Sequence, residues 1–201
     1  VVIGTPILNR TSFSEKNTCG MFISNVPLKI NIDNNSTFLD FISNIAKDSL
    51  SMLRHQKYPY QYLLENLRKQ NSSVPNLYDN LISYQITKAN DKTVDLPYNV
   101  HWTGANHISC GMNIHLHDNN DSGNLIMSYD YLVDKYSKDD IIATHERILY
   151  IIDQILKNIN ISLNDIKIVT KEEENKILNE FNNTSVDYPK NKTIVDLFEE
   201  Q

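Results

Sequence analysis

Closely spaced histidines are the first residues of this sequence that could carry out chemistry. His115 and His117 alternate along a predicted strand, so both side chains point to one face, as two zinc ligands do in some enzymes. His101 or His107 could supply a third ligand. A zinc site also needs convergent geometry and hydrogen bonds that orient its ligands, and the sequence shows neither. We therefore predict no metal site, and we predict that His115 and His117 are polar, outward-facing residues of a half-exposed strand.

Two carboxylates and a further histidine could transfer protons. Asp130 and Asp134 could act as a pair in acid–base catalysis, and His55 could act as a general base. The aspartates lie between a predicted strand and a long helix, where they would turn the chain and complement the positive end of the helix dipole. His55 lies where one predicted helix ends and the next begins, and Pro59 fixes that corner. We therefore predict local structural roles for all three residues.

The composition limits the classes of partner. A chain of 201 residues with 40% hydrophobic and 22% charged residues is typical of one globular domain. The formal net charge of −6 and the lack of a cluster of Lys and Arg argue against binding to nucleic acid. No apolar run approaches the roughly 20 residues that span a bilayer, so no membrane partner is predicted.

The cysteines and the first residue indicate the cellular setting. Cys19 and Cys110 are too few to form a disulfide framework in a chain of this size, which favours a reduced, cytoplasmic protein. The sequence begins at Val1, inside an apolar segment that is typical of a buried strand, and it shows no signal-peptide pattern. We expect it to be a piece of a longer protein.

The spacing of apolar residues predicts a mixed sheet with covering helices, an α/β (α+β) fold. The predicted strands are residues 1–6, 21–32, 80–87, 108–117 and 124–131. The predicted helices are residues 37–54, 59–68, 138–158 and 171–181, with one more that begins after Thr193. The segment 9–19 is predicted to be a polar loop. Pro27 cannot donate a hydrogen bond to a neighbouring strand, so its strand should lie at a sheet edge or contain a bulge.

Three segments in the first part of the chain carry a family resemblance. They are Gly4-Thr-Pro6 with Asn9-Arg10, then Gly20-Met-Phe-Ile-Ser-Asn25, and then His55-Gln-Lys-Tyr-Pro-Tyr60. In this order and spacing they resemble the condensation domains of nonribosomal peptide synthetases, and the resemblance runs on to Gln201. The family's version of the third segment is His-Gln-Asp-x-Pro-Phe. At the end of the second segment the family usually has Asn-Thr, where this chain has Ser24-Asn25.

The resemblance implies a fold, an activity and a set of site residues. The fold would be the C-terminal lobe of a condensation domain, which is half of a chloramphenicol-acetyltransferase-like (CoA-dependent acyltransferase) fold. The activity would be formation of a peptide bond between a carrier-bound aminoacyl or peptidyl donor and an aminoacyl acceptor. In the family, the first two segments help to form the tunnel in which donor and acceptor meet. The implied tunnel lining is Arg10, Gly20, Met21, Phe22, Ser24 and Asn25.

The family's catalytic motif, His-His-x-x-x-Asp-Gly, is expected upstream of Val1. His117 and Asp121 have the spacing of this motif, but Leu116 replaces the neighbouring histidine and Ser122 replaces the glycine. The match also falls in a polar hairpin turn, where no tunnel is expected, so we interpret it as a coincidence. The resemblance therefore implies no catalytic residue in this chain, which we expect to be inactive by itself.

The end of the chain resembles the junction between a condensation domain and an adenylation domain. The matching residues are Thr170-Lys-Glu-Glu-Glu174, Asn182-Asn-Thr184, Tyr188-Pro189 and Ile194–Gln201. The implied division is a C-terminal lobe of the condensation domain at 1–181, a linker at 182–193 and the beginning of an adenylation domain at 194–201.

The resemblance also implies partners. These would be the upstream and downstream peptidyl carrier domains, the N-terminal lobe of the same condensation domain and the following adenylation domain. Together they would form a bacterial, cytoplasmic assembly line for an antibiotic or a siderophore. The domain itself would bind no cofactor, because the phosphopantetheine is attached to the carrier domains.

Three alternatives remain open. An epimerization domain of the same superfamily usually has Trp at the position of Met21 and lacks the His-Gln-x-x-Pro element that begins here at His55. A free-standing CoA-dependent acyltransferase would have no reason to continue into the start of an adenylation domain. A non-catalytic interaction module is the third alternative, and the sequence that precedes Val1 would separate these cases.

Overall fold

Five strands form one mixed β-sheet in the computed structural model, which describes residues 1–86, 108–119, 124–187 and 189–201. The strands are β1 (Val2–Ile7), β2 (Ser24–Lys29), β3 (Asn80–Ile86), β4 (Met112–Asn119) and β5 (Asn124–Tyr131). Their order in the sheet is β2-β1-β3-β4-β5. β3 pairs in parallel with β1 and β4, whereas the outer pairs β1–β2 and β4–β5 are antiparallel. The predicted mixed sheet is confirmed, and β2, which contains Pro27, is an edge strand as expected.

The described residues also form six α-helices. They are α1 (Phe13–Asn17), α2 (Phe38–Arg54), α3 (Tyr60–Gln70), α4 (Lys138–Lys157), α5 (Lys171–Asn175) and α6 (Ile194–Glu200). A 3-10 turn (Leu163–Asp165) follows α4, and a π turn (Lys176–Glu180) continues α5. α1 lies inside the segment 9–19, for which a loop is predicted above. Its capping box, in which Ser12 and Glu15 accept hydrogen bonds from each other's main chain, is the sequence signal that this prediction overlooks.

The hydrophobic core is centred on β4 and α4. Met112 and Ile114 of β4 are buried against Ile141 of α4. The residues packed around these three are Ile82, Met127, Tyr129, Tyr131, Tyr136 and Ile148. Removal of these side chains from water is the main force that holds α4 on the sheet. Farther along the same helical face Ile152 is exposed, and Ile159, the last residue of the predicted apolar face, lies beyond the end of α4.

Buried side chains also occur on the β1–β2 side of the sheet and in α3. They are Ile7, Val26, Leu28 and Leu64. α2 and α3 both contact β2. The start of α2 is tied to the segment after α4, because the Phe38 N–H donates to the Ile161 carbonyl at 2.9 Å. α2 itself buries no residue, and Leu50 on its predicted apolar face is 62% exposed.

Tyr78 requires a glycine at position 4 of the chain. A Cβ atom on Gly4 would lie 2.5 Å from Cε2 of the Tyr78 ring, well inside van der Waals contact. The ring has a neighbour that limits its movement, since its centroid lies 5.3 Å from that of Tyr60. Gly4 is also the residue at which β1 pairs with Leu81 of β3, so the close approach occurs near the middle of the sheet.

We predict that Gly4→Ala lowers the free energy of unfolding by about 1–3 kcal/mol, the usual cost of overpacking a core. Urea titration followed by circular dichroism would measure the loss. In a double-mutant cycle, Tyr78→Ala should remove most of this cost, because it removes the ring that the new methyl group meets. An equal cost of Gly4→Ala with and without the Tyr78 ring would contradict this explanation.

Candidate functional site

Arg10 organises the β1–β2 loop, residues 8–23. Its guanidinium donates hydrogen bonds to the main-chain carbonyls of Thr18 at 2.7 Å and Gly20 at 2.6 Å, and a third to that of Glu15. Its Cζ atom lies 4.2 Å from the centre of the Phe22 ring, which is a cation–π contact. Arg10 thus satisfies carbonyls at the end of α1 and fixes the path of the chain towards β2.

Gly20 is required by the conformation of the main chain. Its φ of 151° lies in a region that other residues rarely adopt, whereas a Cβ atom there would make only an ordinary 3.7 Å contact with Phe22. Asn9, at the other end of the loop, also has a positive φ, of 53°. Asparagine tolerates this left-handed conformation better than most residues. The conformation of the main chain therefore explains why glycine is needed at position 20, and no substrate that passes close to it has to be invoked.

The remaining residues of the implied tunnel lining do not share one surface. Met21 is 91% exposed at the end of the loop. Ser24 and Asn25 are the first two residues of β2 and are half-buried. Successive residues of a strand point to opposite faces, so Ser24 lies on the face of the buried Val26 and Asn25 lies on the other. At most one of these two strand residues can face a given wall of a tunnel.

The corner between α2 and α3 contains the third family segment. The His55 N–H donates to the Met52 carbonyl at 2.9 Å, and the His55 carbonyl accepts from the Tyr58 N–H at 2.9 Å. Pro59 follows in an extended conformation directly before α3. The imidazole of His55 is exposed. The predicted role of His55 in closing one helix before the next begins is confirmed.

Lys57, in the same corner, reaches the β1–β2 loop. Its Nζ donates to Glu15 Oε1 at 2.7 Å and to the Asn9 carbonyl at 2.9 Å. The other carboxylate oxygen of Glu15 accepts from the main-chain N–H groups of Thr11 at 2.7 Å and Ser12 at 3.0 Å. Lys57 first, and then these N–H groups, hold the pKa of Glu15 far below its ordinary range. Lys57 of the third family segment is therefore bonded to Asn9 of the first segment and, through a charge pair, to Glu15 in the loop that connects the first and second segments.

His115 and His117 share one face of β4, as predicted, but the two side chains differ in their exposure to water. His117 is 2% exposed, and its ring centroid lies 6.1 Å from that of the half-buried His115. Burial, and secondly the nearby His115, lower the pKa of His117 and favour its neutral form. The prediction of an outward-facing residue is wrong for His117. Alternation within one strand shows which residues share a face, but it cannot show whether that face is covered.

Ser83, His115 and Asp130 form a row across β3, β4 and β5. Ser83 Oγ lies 2.8 Å from His115 Nδ1, and Asp130 Oδ2 lies 3.3 Å from His115 Nε2. These are the residue types of a serine-hydrolase triad, but Ser83 is 1% exposed, so a substrate cannot reach its hydroxyl. The predicted role of Asp130 in turning the chain is wrong, because it lies within β5. Asp134 does lie, exposed, in the turn before α4.

Several residues that the sequence offers as metal ligands or reactive groups do not come together in the part of the chain that the structure describes. Among those residues, no group of three or more His, Cys, Asp or Glu side chains could hold a metal ion. No helix in the same ranges is long and apolar enough to cross a membrane. Cys19 and Cys110 are not joined by a disulfide. His101, His107 and Asp121 lie outside the described residues.

A bidentate ion pair anchors α5 to α4. Arg147 Nη2 and Nε donate to Glu173 Oε1 at 2.6 Å and 2.9 Å. Glu173 also forms the predicted capping box with Thr170. Farther along the chain the anchoring ends, because α6 buries no residue and its apolar side chain Phe198 is 81% exposed.

The sheet order and the helices packed on it define the class of protein. Solved condensation domains, which have the fold of CoA-dependent acyltransferases, share this architecture. A model of the family described as Condensation domain matches residues 1–178. The chain belongs to the condensation-domain family.

The relatives of this chain are parts of large synthetases. Surfactin synthase subunit 1 from Bacillus subtilis (strain 168) is 35% identical over 205 residues, which cover all of this chain and 6% of the relative. A four-domain nonribosomal peptide synthetase, solved with AMP and glycine bound, is 16% identical with a TM-score of 0.73, over 87% of this chain and 14% of its own. The first condensation domain of the CDA synthetase is 16% identical with a TM-score of 0.63. The match covers 85% of this chain and 38% of the solved chain. The chain thus spans a small part of its curated relative.

We predict that His117 makes the protein less stable as the pH falls from about 7 to about 5.5. Its pKa is lowered in the fold, so below the ordinary histidine pKa of about 6.5 the unfolded chain binds the proton more readily than the folded chain does. Stability therefore rises with pH in this window. Thermal unfolding of the wild type and of His117→Asn at several pH values would show a shallower dependence in the variant.

The matched control is His55→Asn, which replaces an exposed histidine at a helix corner and should keep the slope of the wild type. The comparison uses slopes, because His117→Asn changes the absolute stability as well. Identical slopes for the wild type and His117→Asn would show that His117 does not carry this dependence.

Proposed function

We propose that this chain supplies one wall of the tunnel in which a condensation domain joins two carrier-bound amino acids. The observation that supports this most directly is the β1–β2 loop, in which Arg10 holds Gly20 and Phe22 of the second family segment in a fixed arrangement. The polar atoms of Arg10 bond the loop itself, so Arg10 acts on a substrate through the shape of the loop. Met21 and Ile23 are exposed side chains of that segment and are available to touch a substrate arm.

The proposed reaction is attack of the acceptor amine on the thioester carbonyl of the donor. A C–N bond forms, the C–S bond breaks, and the proton lost by the amine is balanced by protonation of the departing phosphopantetheine thiolate. Both substrates arrive on the phosphopantetheine arms of the upstream and downstream carrier domains, and the step consumes no metal or nucleotide. The contribution of a tunnel wall is to hold the two arms so that amine and carbonyl meet in a reactive orientation.

Four histidines of the described residues have positions that do not suit a catalytic base. His55 is exposed at a helix corner, and His117 is buried. His115 has a polar partner at each ring nitrogen, and His145 Nδ1 lies 2.9 Å from the Tyr129 hydroxyl. The resemblance to the family implies a base in the motif His-His-x-x-x-Asp-Gly, so we propose that the base comes from the N-terminal lobe of the same domain. This supports the expectation that the chain is inactive by itself.

The domain division proposed for this chain is a lobe at 1–181, a linker at 182–193 and the start of an adenylation domain at 194–201. The ion pair between Arg147 and Glu173 keeps α5 on the lobe. The ion pair between Lys192 and Glu200 joins the end of the linker to the last segment, which agrees with a unit beyond the lobe. The setting of the whole synthetase would be the bacterial cytoplasm, with an adenylation domain and carrier domains as partners.

An epimerization domain and a free-standing acyltransferase are the alternatives to this function. An epimerization domain would invert the α-carbon of one carrier-bound residue and form no amide. A free-standing acyltransferase would accept CoA thioesters. The products formed from loaded carriers therefore separate condensation from epimerization, and an acylated product formed from a CoA thioester would indicate the free-standing acyltransferase.

We predict that the complete module, supplied with a loaded donor carrier and a loaded acceptor carrier, forms a carrier-bound dipeptide. The reason is that the whole domain provides both the base and the wall described here. Mass spectrometry of the acceptor carrier, after release of the product and separation of its stereoisomers, would measure both condensation and epimerization.

The control is the 201-residue chain alone with the same carriers, which should give no product above the uncatalysed rate. No dipeptide from the complete module would contradict the proposed function, and an inverted residue would favour the epimerization alternative. Turnover by the chain alone that is lost in His55→Ala or His117→Ala would show that one of these histidines is catalytic.

We predict that mild proteolysis of the chain removes its last twenty or so residues first. Cleavage begins where the main chain is exposed and weakly supported, and α6 buries none of its side chains. Mass spectrometry of the products should show a stable fragment that ends near Phe181. Protection of 194–201 at times when cuts appear within 1–181 would mean that α6 docks on the lobe and that 182–193 is no linker.

A further inference from the structure

The β1–β2 loop is bonded mainly to itself. Arg10 joins the ends of the loop through Thr18 and Gly20, but these bonds do not set the direction of the loop relative to the helices. Within the part of the chain that the structure describes, Lys57 is the residue outside the loop whose side chain donates hydrogen bonds to it. The orientation of the loop against the α2–α3 corner therefore depends on this lysine.

Lys57 holds the loop at two separate points. One is the carbonyl of Asn9, the residue with positive φ that directly precedes Arg10. The other is the carboxylate of Glu15 in α1, whose own carbonyl accepts from Arg10. A movement of Lys57 would thus shift both Asn9 and Glu15, which are the neighbours of Arg10 in the loop. Through Arg10 it would also shift the carbonyl of Gly20.

This contact suits positioning better than stabilisation. The side chains of Lys57 and Glu15 are 48% and 27% exposed, and ion pairs open to water add little to the stability of a fold. The carboxylate is nevertheless fixed in direction, because two main-chain N–H groups bind its other oxygen. A lysine bound to a fixed carboxylate and to a carbonyl has few alternative positions.

The residue at position 57 also differs from the family's motif, His-Gln-Asp-x-Pro-Phe. An aspartate there would place a second carboxylate beside Glu15, where like charges repel each other. Lys57 and Glu15 are therefore matched to each other in this chain. We propose that Lys57 is a positioning residue, which orients the β1–β2 loop so that it holds a carrier-bound substrate in the reactive geometry. This inference rests on the proposed function.

The test uses the intact synthetase that contains this chain. Lys57→Met removes the charge and keeps the length, Lys57→Arg keeps the charge, and Lys57→Asp introduces the residue of the family motif. Lys57→Asp combined with Glu15→Gln removes the repulsion again. The matched control is Lys157→Met, which breaks an exposed 2.5 Å ion pair with Asp153 on α4. For each variant, kcat, KM for both carrier-bound substrates and the unfolding temperature are measured.

We expect Lys57→Met to lower kcat about tenfold and to change KM less than about twofold, because a displaced loop lowers the fraction of bound substrate in the reactive geometry. Lys57→Arg should retain at least about half of the wild-type kcat, since the positive charge is kept. Lys57→Asp should be slower than Lys57→Met, and Glu15→Gln should recover part of that loss. Lys157→Met should match the wild type, and the unfolding temperatures should agree within about 2 °C.

A wild-type kcat in Lys57→Met would overturn the inference and leave the proposed function in place. Equal values of kcat for Lys57→Arg and Lys57→Asp would also overturn the inference. The order of rates among Lys57→Arg, Lys57→Asp and the Lys57→Asp, Glu15→Gln double variant decides the matter if Lys57→Met does not fold. An intact synthetase that forms no amide would overturn the proposed function together with the inference.

Discussion

The main-chain carbonyls of the β1–β2 loop must find hydrogen-bond donors, and the arrangement of the loop depends on this constraint. The chain leaves β1, makes one short helix and returns to β2, so several carbonyls have no partner in regular structure. Arg10 meets this need because its guanidinium offers several donors in fixed directions. A lysine at this position would offer one compact ammonium group, which lacks the planar, spread-out donors that bond the carbonyls of Glu15, Thr18 and Gly20 together. Gly20, whose φ is positive, presents one of these carbonyls to the guanidinium.

The sheet has two unlike faces, and both specify its register. Met112 and Ile114 point to the core beneath α4, while His115 points to the other face between Ser83 and Asp130. A slip of one residue between β3 and β4 would oppose Ser83 to an apolar neighbour and bring His115 into the core. The row of Ser83, His115 and Asp130 is favourable only when its members are paired. The free-energy cost of incorrect strand pairing is therefore larger than the stability that the row adds to the correct pairing.

The sequence alone could predict features that depend on near neighbours in the chain. Alternation of apolar residues gives the strands, Pro27 gives an edge, and the Ser12–Glu15 capping box could have given α1. The pairing of Lys57 with Glu15 could not be predicted, because 42 residues separate them and each looks like an ordinary surface charge. The burial of His117 is of the same kind, since the exposure of a strand residue depends on the packing around the strand and not on the alternation along it.

The two edges of the sheet differ in how they would behave towards other chains. At the β2 edge, Pro27 offers no N–H group and Lys29 is charged and exposed, which are features that discourage a foreign strand. At the β5 edge, Leu125 and Ile126 are exposed, and the strand contains neither proline nor lysine. An apolar edge of this kind is a template for strand addition. Aggregation of the chain would therefore begin at β5.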